Sequence, residues 1–236
     1  MRALLLDLDG TLLDLDGDEF LEAYAQVVAD WMAPLMPPAR FTEALWSAAI
    51  PLMVNEHPGV PNRVALWNGL AQALDVPADR LEQTFLDGLA HHDLTSILPG
   101  GHPSPGAHRL IAAARKRRLK VAVATMPIYP RIVVDERLRR ARLDRVDWDA
   151  VATYDMHAVK PHPSYWRELA DDLATEPDAC LVVGDDYFRD MSARRTGMQT
   201  FYVGPAMPGL DTGPHGSLEE LATRLEADLW SLAGQE

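Results

Sequence analysis

The sequence has few features of secreted or membrane proteins. Its single cysteine, Cys180, excludes an internal disulfide framework, and the apolar neighbours Ala179 and Leu181 predict that this thiol lies in the core. The apolar N-terminal stretch reaches two acidic residues within nine positions, which is unlike a secretory signal or a membrane span. We therefore expect a cytoplasmic protein that does not interact with membranes.

Positive charge is also scarce. The chain of 236 residues carries 22 lysines and arginines against 35 acidic residues, a formal net charge of -13. Nucleic acid would be repelled unless a local basic patch formed, and the basic run at residues 115–118 is typical of the last turn of a helix. We expect no nucleic-acid partner. The hydrophobic content of 47% is enough for a sizeable core in one large or two small domains.

Short, continuous apolar runs predict strands that are buried on both faces. The runs are residues 3–8, 121–124, 151–153, 181–184 and 200–203. Amphipathic stretches at 107–118, 131–142, 165–173 and 191–196 lie between the later runs. Strands that alternate with helices in this way predict an α/β fold, a doubly wound parallel sheet of the Rossmann-like kind.

The interval after the first strand lacks strand-like runs and shows only helical periodicity. Its candidate helices are 18–33, 42–54, 63–74 and 79–91, separated by proline-rich turns. We predict an all-helical domain over residues 14–97, inserted into an α/β core formed by residues 1–13 and 98–236. The stretch 204–216 is rich in proline and glycine and predicts a surface loop before a last helix at 218–232.

Two acids follow the first strand in the motif Asp7-Leu8-Asp9-Gly10-Thr11. Side chains two residues apart in a strand point the same way, so the two carboxylates converge where parallel sheets bind ligands. Their repulsion favours a divalent cation between them. The alternative is a strand that ends in an ordinary acidic turn.

Further polar residues follow the later strand runs. Thr125 could donate its hydroxyl to a phosphate oxygen, and Lys160 lies in a loop that two prolines stiffen. Asp185 and Asp190 follow the fourth run. Taken singly, these residues could be a polar strand end, a surface lysine and a helix cap. Their coincidence at the strand ends indicates one shared site.

In this order the motifs DLDGT, Thr125, KPHP and GDDYFRD resemble those of the haloacid dehalogenase superfamily, and the helical insert resembles its C1 cap. The resemblance implies a magnesium-dependent phosphatase that acts on a small phosphorylated metabolite. Asp7 would attack phosphorus to form an aspartyl phosphate, and Asp9 would donate and later accept a proton.

The resemblance also implies a ligand set. Mg²⁺ would be held by Asp7, the backbone carbonyl of Asp9 and Asp185, with Asp190 supporting the metal. Thr125 and Lys160 would bind the phosphoryl group.

In the insert, Arg63 occupies a position from which relatives reach the substrate, with His57 and Asn62 as weaker candidates. We expect a monomer or a homodimer.

One departure and two alternatives accompany this interpretation. Met126 stands where relatives often have an asparagine after Thr125, so an amide side chain is lost. Pro127, which follows it, has no backbone N–H. A phosphomutase would share every catalytic residue, although Thr11 favours a phosphatase. A catalytically silent binding protein that kept the fold is the alternative from outside enzymes.

Overall fold

The computed structural model describes residues 1–54, 59–97 and 99–228. His57, the predicted domain boundary at residue 98 and the predicted end of the last helix at residue 232 lie outside these ranges. Among the described helices, none combines the length and apolarity that crossing a bilayer requires.

A six-stranded sheet confirms the predicted α/β class, and every neighbouring pair in it is parallel. The strands in chain order are β1 (Ala3–Leu6), β2 (Leu13–Asp14), β3 (His102–Pro103), β4 (Lys120–Val123), β5 (Ala150–Val151), β6 (Cys180–Gly184), β7 (Gln199–Val203) and β8 (His215–Gly216). The sequence missed the antiparallel pair β2–β3, and β8 lies in the stretch predicted as loop. Two-residue strands are too short to show a periodic pattern.

Helices occupy the predicted places with bounds within four residues of the prediction, except that the last helix ends at Glu226 rather than at 232 and that the sequence predicted no helix at Leu94–Ile97. They are α1 (Gly17–Trp31), α2 (Pro38–Val54), α3 (Asn62–Leu74), α4 (Ala78–His91), α5 (Leu94–Ile97), α6 (Ala107–Lys116), α7 (Arg131–Arg140), α8 (Pro163–Asp172) and α9 (Leu218–Glu226). The predicted helix at 191–196 is a 3₁₀ helix, which Gly197 ends at φ 88°.

The strand order β5-β4-β1-β6-β7-β8 puts β1 between β4 and β6. Leu6, at the end of β1, pairs with Val123 of β4 on one side and with Val183 of β6 on the other. The residues that follow these three strands therefore emerge at one edge of the sheet. The connections diverge from β1 at this point, which is where open α/β sheets bind ligands.

Five described helices, α1 to α5, lie between β2 and β3. The first four pack together, and the rings of Trp31, Phe85 and Trp67 meet in their interior. Their buried residues are continuous with one face of the sheet through the leucines after β1 and Phe20 of α1. The start of α3 also contacts the core, because the backbone N–H of Asn62 donates to the Met156 carbonyl at 2.7 Å.

Candidate active site

A cavity of about 520 Å³ opens at the edge of the sheet where β1, β4 and β6 end. Its lining carboxylates are Asp7, Asp9, Asp14, Asp16, Asp18, Asp185, Asp186 and Asp190. The basic residues that line it are Lys160 and Arg189. Added positive charge would therefore favour the binding of an anion in this cavity.

Lys160 lies between two buried carboxylates at the base of this cavity. Its Nζ donates to Asp7 Oδ1 and to Asp190 Oδ1, each at 2.6 Å. Lys160 is 4% exposed and Asp190 is fully buried. Burial alone would lower the pKa of Lys160, but the carboxylates of Asp190 and Asp7 raise it, so the ammonium stays charged. Lys160 and Asp7, which the sequence predicts to share a site, therefore lie in contact in the structure.

Asp185 follows β6 and lies against the loop that follows β1. The Thr11 hydroxyl donates to Asp185 Oδ1 at 2.9 Å. Gly10 has φ 77°, and a Cβ there would collide with the Asp185 carboxylate, so only glycine permits this approach. Burial, and after it the charge of Asp7, raises the pKa of Asp185 to about 6.

Asp190 is brought in by the same kind of close approach. A Cβ on Gly184 would collide with the Asp190 carboxylate, whose Oδ2 accepts the Asp186 amide at 3.0 Å. Burial raises the pKa of Asp190 despite the neighbouring ammonium of Lys160.

Three carboxylates at the site could hold a metal. Asp7, Asp185 and Asp190 each offer one oxygen, and these oxygens lie within 4.8 Å of one another. A set of carboxylate oxygens suits a hard divalent cation such as Mg²⁺ better than a softer metal. The surplus of negative charge in the cavity also fits a cation. The residues present therefore fit a magnesium site.

Asp9, the second acid of the motif, has a different partner. Its Oδ2 accepts from Arg137 Nη1, and its Oδ1 is buried without a hydrogen-bond partner among residues 1–54, 59–97 and 99–228. Burial raises the pKa of Asp9, Arg137 opposes this shift, and the nearby charge of Asp7 adds to it.

The predicted Thr125 is buried and lines the cavity, as does Met126 after it. The Tyr165 hydroxyl donates to the Thr125 carbonyl at 2.9 Å, which holds the end of β4. In this chain the carbonyl of Pro127, the second residue of the departure from the family motif, accepts from the Asn62 side chain at 3.1 Å. The departure from the common motif therefore comes with a contact to α3.

The structure does not bring Arg63 to the cavity. Its Nη1 pairs with Glu82 Oε1 at 2.5 Å on the neighbouring helix α4, and its Nε lies 3.5 Å from Asp155 Oδ1 of the core. Arg63 is therefore placed at the contact between α3 and the core rather than among the cavity-lining residues.

The sequence analysis did not identify Arg137, and it named Asn62 only as a weaker candidate for reaching the substrate. Arg137 lies three and four residues after Val134 and Val133, so it falls on the buried face of α7, where a charged residue is a detectable anomaly. Asn62 is 2% exposed and also donates to the Ala158 carbonyl at 3.0 Å. A buried asparagine at a helix start is a weaker signal.

Comparisons with known proteins identify the family of the chain. A family model described as haloacid dehalogenase-like hydrolase matches residues 1–196. A phosphoglycolate phosphatase of Rhodospirillum rubrum is 31% identical over 203 residues, covering 84% of this chain and 77% of that protein. An N-acetylmuramic acid 6-phosphate phosphatase of Pseudomonas aeruginosa is 27% identical, with 86% and 81% covered. The structure of a phosphatase from Thermococcus onnurineus shares the fold at TM-score 0.55 and 19% identity, with 98% of each chain covered.

Proposed function

The chain belongs to the haloacid dehalogenase-like hydrolases, and from this premise we propose that it is a magnesium-dependent phosphatase of a small phosphorylated metabolite. It is an enzyme, a hydrolase of phosphoric monoesters. The magnesium-dependent mechanism is supported by the geometry at Lys160. Its ammonium holds the Asp7 carboxylate beside the carboxylates that could bind a metal. We further propose that residues 14–97 act as a cap over this site.

In the first step, a carboxylate oxygen of Asp7 attacks phosphorus and an aspartyl phosphate forms. The bond from phosphorus to the ester oxygen breaks, and this oxygen takes a proton from Asp9 as the alcohol leaves. Lys160 keeps the attacking carboxylate in place and, with Thr125, offsets charge on the phosphoryl oxygens.

In the second step, water attacks phosphorus and gives a proton to Asp9. The bond between phosphorus and the Asp7 oxygen breaks, which releases inorganic phosphate and restores the carboxylate. Asp9 is then protonated again for the next turnover, so each proton taken in one step is returned in the other.

Bound Mg²⁺ would supply positive charge to the phosphate and to the developing negative charge of the transfer. Asp7, Asp185 and the backbone carbonyl of Asp9 would hold it, with Asp190 behind them. Without such a charge, eight carboxylates would face the substrate against two basic side chains.

The experiment is a steady-state assay of p-nitrophenyl phosphate hydrolysis with and without Mg²⁺, on the parent enzyme and on Asp7→Asn. We expect turnover to need the metal and to vanish in Asp7→Asn, because a carboxamide does not attack phosphorus. Asp178→Asn, an exposed aspartate at the opposite end of β6, is the matched control and should behave as the parent. Appreciable turnover by Asp7→Asn would contradict the nucleophile assignment.

The two alternatives give different results in the same system. A silent binding protein would release no phosphate from any ester. A phosphomutase would convert a sugar phosphate to its isomer faster than it released phosphate. Screening phosphorylated metabolites for phosphate release then identifies the substrate.

A further inference from the structure

Arg137 is an arginine that water does not reach, although it lies on an otherwise apolar helix face. It is fully buried on α7, beside buried Val133 and Val134. Its guanidinium carbon lies 4.2 Å from the ring centre of Tyr129 and 4.9 Å from that of Phe20. The two rings leave the guanidinium little freedom to turn.

This arrangement is poorly explained as a device for stability. Removing a guanidinium from water carries a large penalty in free energy. Within the described chain, its Nε and Nη2 have no hydrogen-bond partner, so Nη1 alone makes a polar contact, with Asp9. An apolar residue at this position would satisfy the core better. Buried polar groups left partly unpaired are expected where function requires them.

The contact leaves the two oxygens of Asp9 in different states. Oδ2 is engaged by Arg137, whereas Oδ1 is buried and has no partner among the described residues. Asp9 lines the cavity beside Asp7. A carboxylate that is held by one oxygen cannot rotate freely, so the other oxygen keeps a defined place relative to a phosphate ester bound at Asp7.

We propose that Arg137 is a positioning residue that fixes the Asp9 carboxylate through Oδ2 and reserves Oδ1 for proton exchange with the substrate. The proposal rests on the proposed function, in which Asp9 is the proton donor. Arg137 touches neither substrate nor phosphorus and acts through Asp9.

The same contacts connect the helical segment to the chemistry. Phe20 belongs to α1, the first helix of residues 14–97, and packs against the guanidinium that holds Asp9. Phe20 also contacts the Tyr129 ring edge-on at a centroid distance of 5.6 Å. The position of α1 therefore influences how firmly Asp9 is oriented.

The test uses Arg137→Met, with Arg139→Met as the matched control, since Arg139 lies on the same helix and is half-exposed. The single-turnover rate of leaving-group release is measured with two probes, glycerol 2-phosphate and p-nitrophenyl phosphate. We expect Arg137→Met to lose on the order of 100-fold with the alkyl ester, because its leaving group needs a well-placed proton. The loss with the aryl ester should be about tenfold smaller. The steady-state KM should change little.

Two further variants separate positioning from a structural effect. Arg137→Lys keeps a cation but not the planar fork and should recover part of the rate. In an Asp9→Asn background, Arg137→Met should change the remaining rate by less than about twofold, because a residue that acts through Asp9 is fully coupled to it. If Arg137→Met fails to fold, Arg137→Lys and its Asp9→Asn double variant carry the test.

Equal losses with both leaving groups would overturn the proposal, as would a loss that persists in Asp9→Asn or no loss at all. A parent enzyme that released phosphate from neither probe nor from any metabolite would contradict the proposed function instead.

Discussion

Two buried cations hold the two aspartates of the first motif, and their surroundings differ. Lys160 bridges Asp7 and Asp190 at 2.6 Å each, in a loop at the edge of the sheet. Arg137 reaches Asp9 from helix α7 with one nitrogen and lies between two aromatic rings. One cation has more negative charge around it than it can neutralise, and the other has a single anionic partner.

The difference indicates what each region does. The Lys160 region concentrates charged groups: it contains an ammonium, three carboxylates and a candidate Mg²⁺ site. The Arg137 region restrains orientation, since packing against rings limits movement while one contact selects an oxygen of Asp9. Removing charge should therefore be most harmful in the first region, and altering geometry in the second.

The largest effect is expected from Lys160→Met. The substitution removes the cation that holds the nucleophile and offsets phosphoryl charge, so kcat should fall about 1,000-fold, compared with about 100-fold for Arg137→Met. Steady-state hydrolysis of glycerol 2-phosphate at saturating Mg²⁺ would measure both losses in kcat. Equal losses in the two variants would remove the distinction between the regions.

The two variants should also differ in stability. Lys160→Met leaves two buried carboxylates without their cation and should lower the free energy of unfolding by about 3 kcal/mol in the absence of metal. Arg137→Met leaves only Asp9, which borders the cavity, and should cost less than about 1 kcal/mol. Urea denaturation measures both. Relative to the parent at the same metal concentration, millimolar Mg²⁺ should reduce the stability deficit of Lys160→Met and leave that of Arg137→Met unchanged, and the opposite pattern would place the metal elsewhere.

Asp185→Asn tests whether Asp185 is a ligand of Mg²⁺ in the Lys160 region. Loss of one charged oxygen ligand should raise the Mg²⁺ concentration for half-maximal activity by about tenfold. Asp186→Asn is the control, because Asp186 accepts the Phe188 and Arg189 amides, a role that an asparagine oxygen can keep. A titration of activity with Mg²⁺ that gave the same midpoint for both variants would exclude Asp185 from the metal site.

The smallest effect is expected outside both regions, at Arg63. We predict that Arg63→Ala raises KM for the physiological substrate by about threefold and leaves the turnover of p-nitrophenyl phosphate unchanged, if movement of the helical segment brings Arg63 to the substrate. Arg80→Ala, an exposed arginine on α4, is the control. Equal changes with both substrates would indicate that Arg63 only holds α3 through Glu82 and Asp155.

The two regions were not equally accessible from the sequence. Asp7, Lys160 and Asp185 follow strand-like runs, and parallel strands bring their ends to one edge whatever the details of packing. Arg137 lies twelve residues beyond Thr125 in a helix, so its contact with Asp9 depends on how α7 rotates against α1. The strands β2, β3 and β8 were missed for a related reason: pairings of two residues depend on tertiary approach and leave no periodic signal.

The thiol of Cys180 can report on local unfolding around β6. The thiol is buried in β6, and its residue pairs with Ala3 of β1, the strand that leads to Asp7. Burial raises the pKa of Cys180 to about 11, so at neutral pH the group is protonated as well as covered. An alkylating reagent can reach it only when the residues that cover it move away from β6. The sequence contains no other cysteine, so a single label is taken up. The rate of this labelling measures how often the thiol becomes exposed, without any engineered probe.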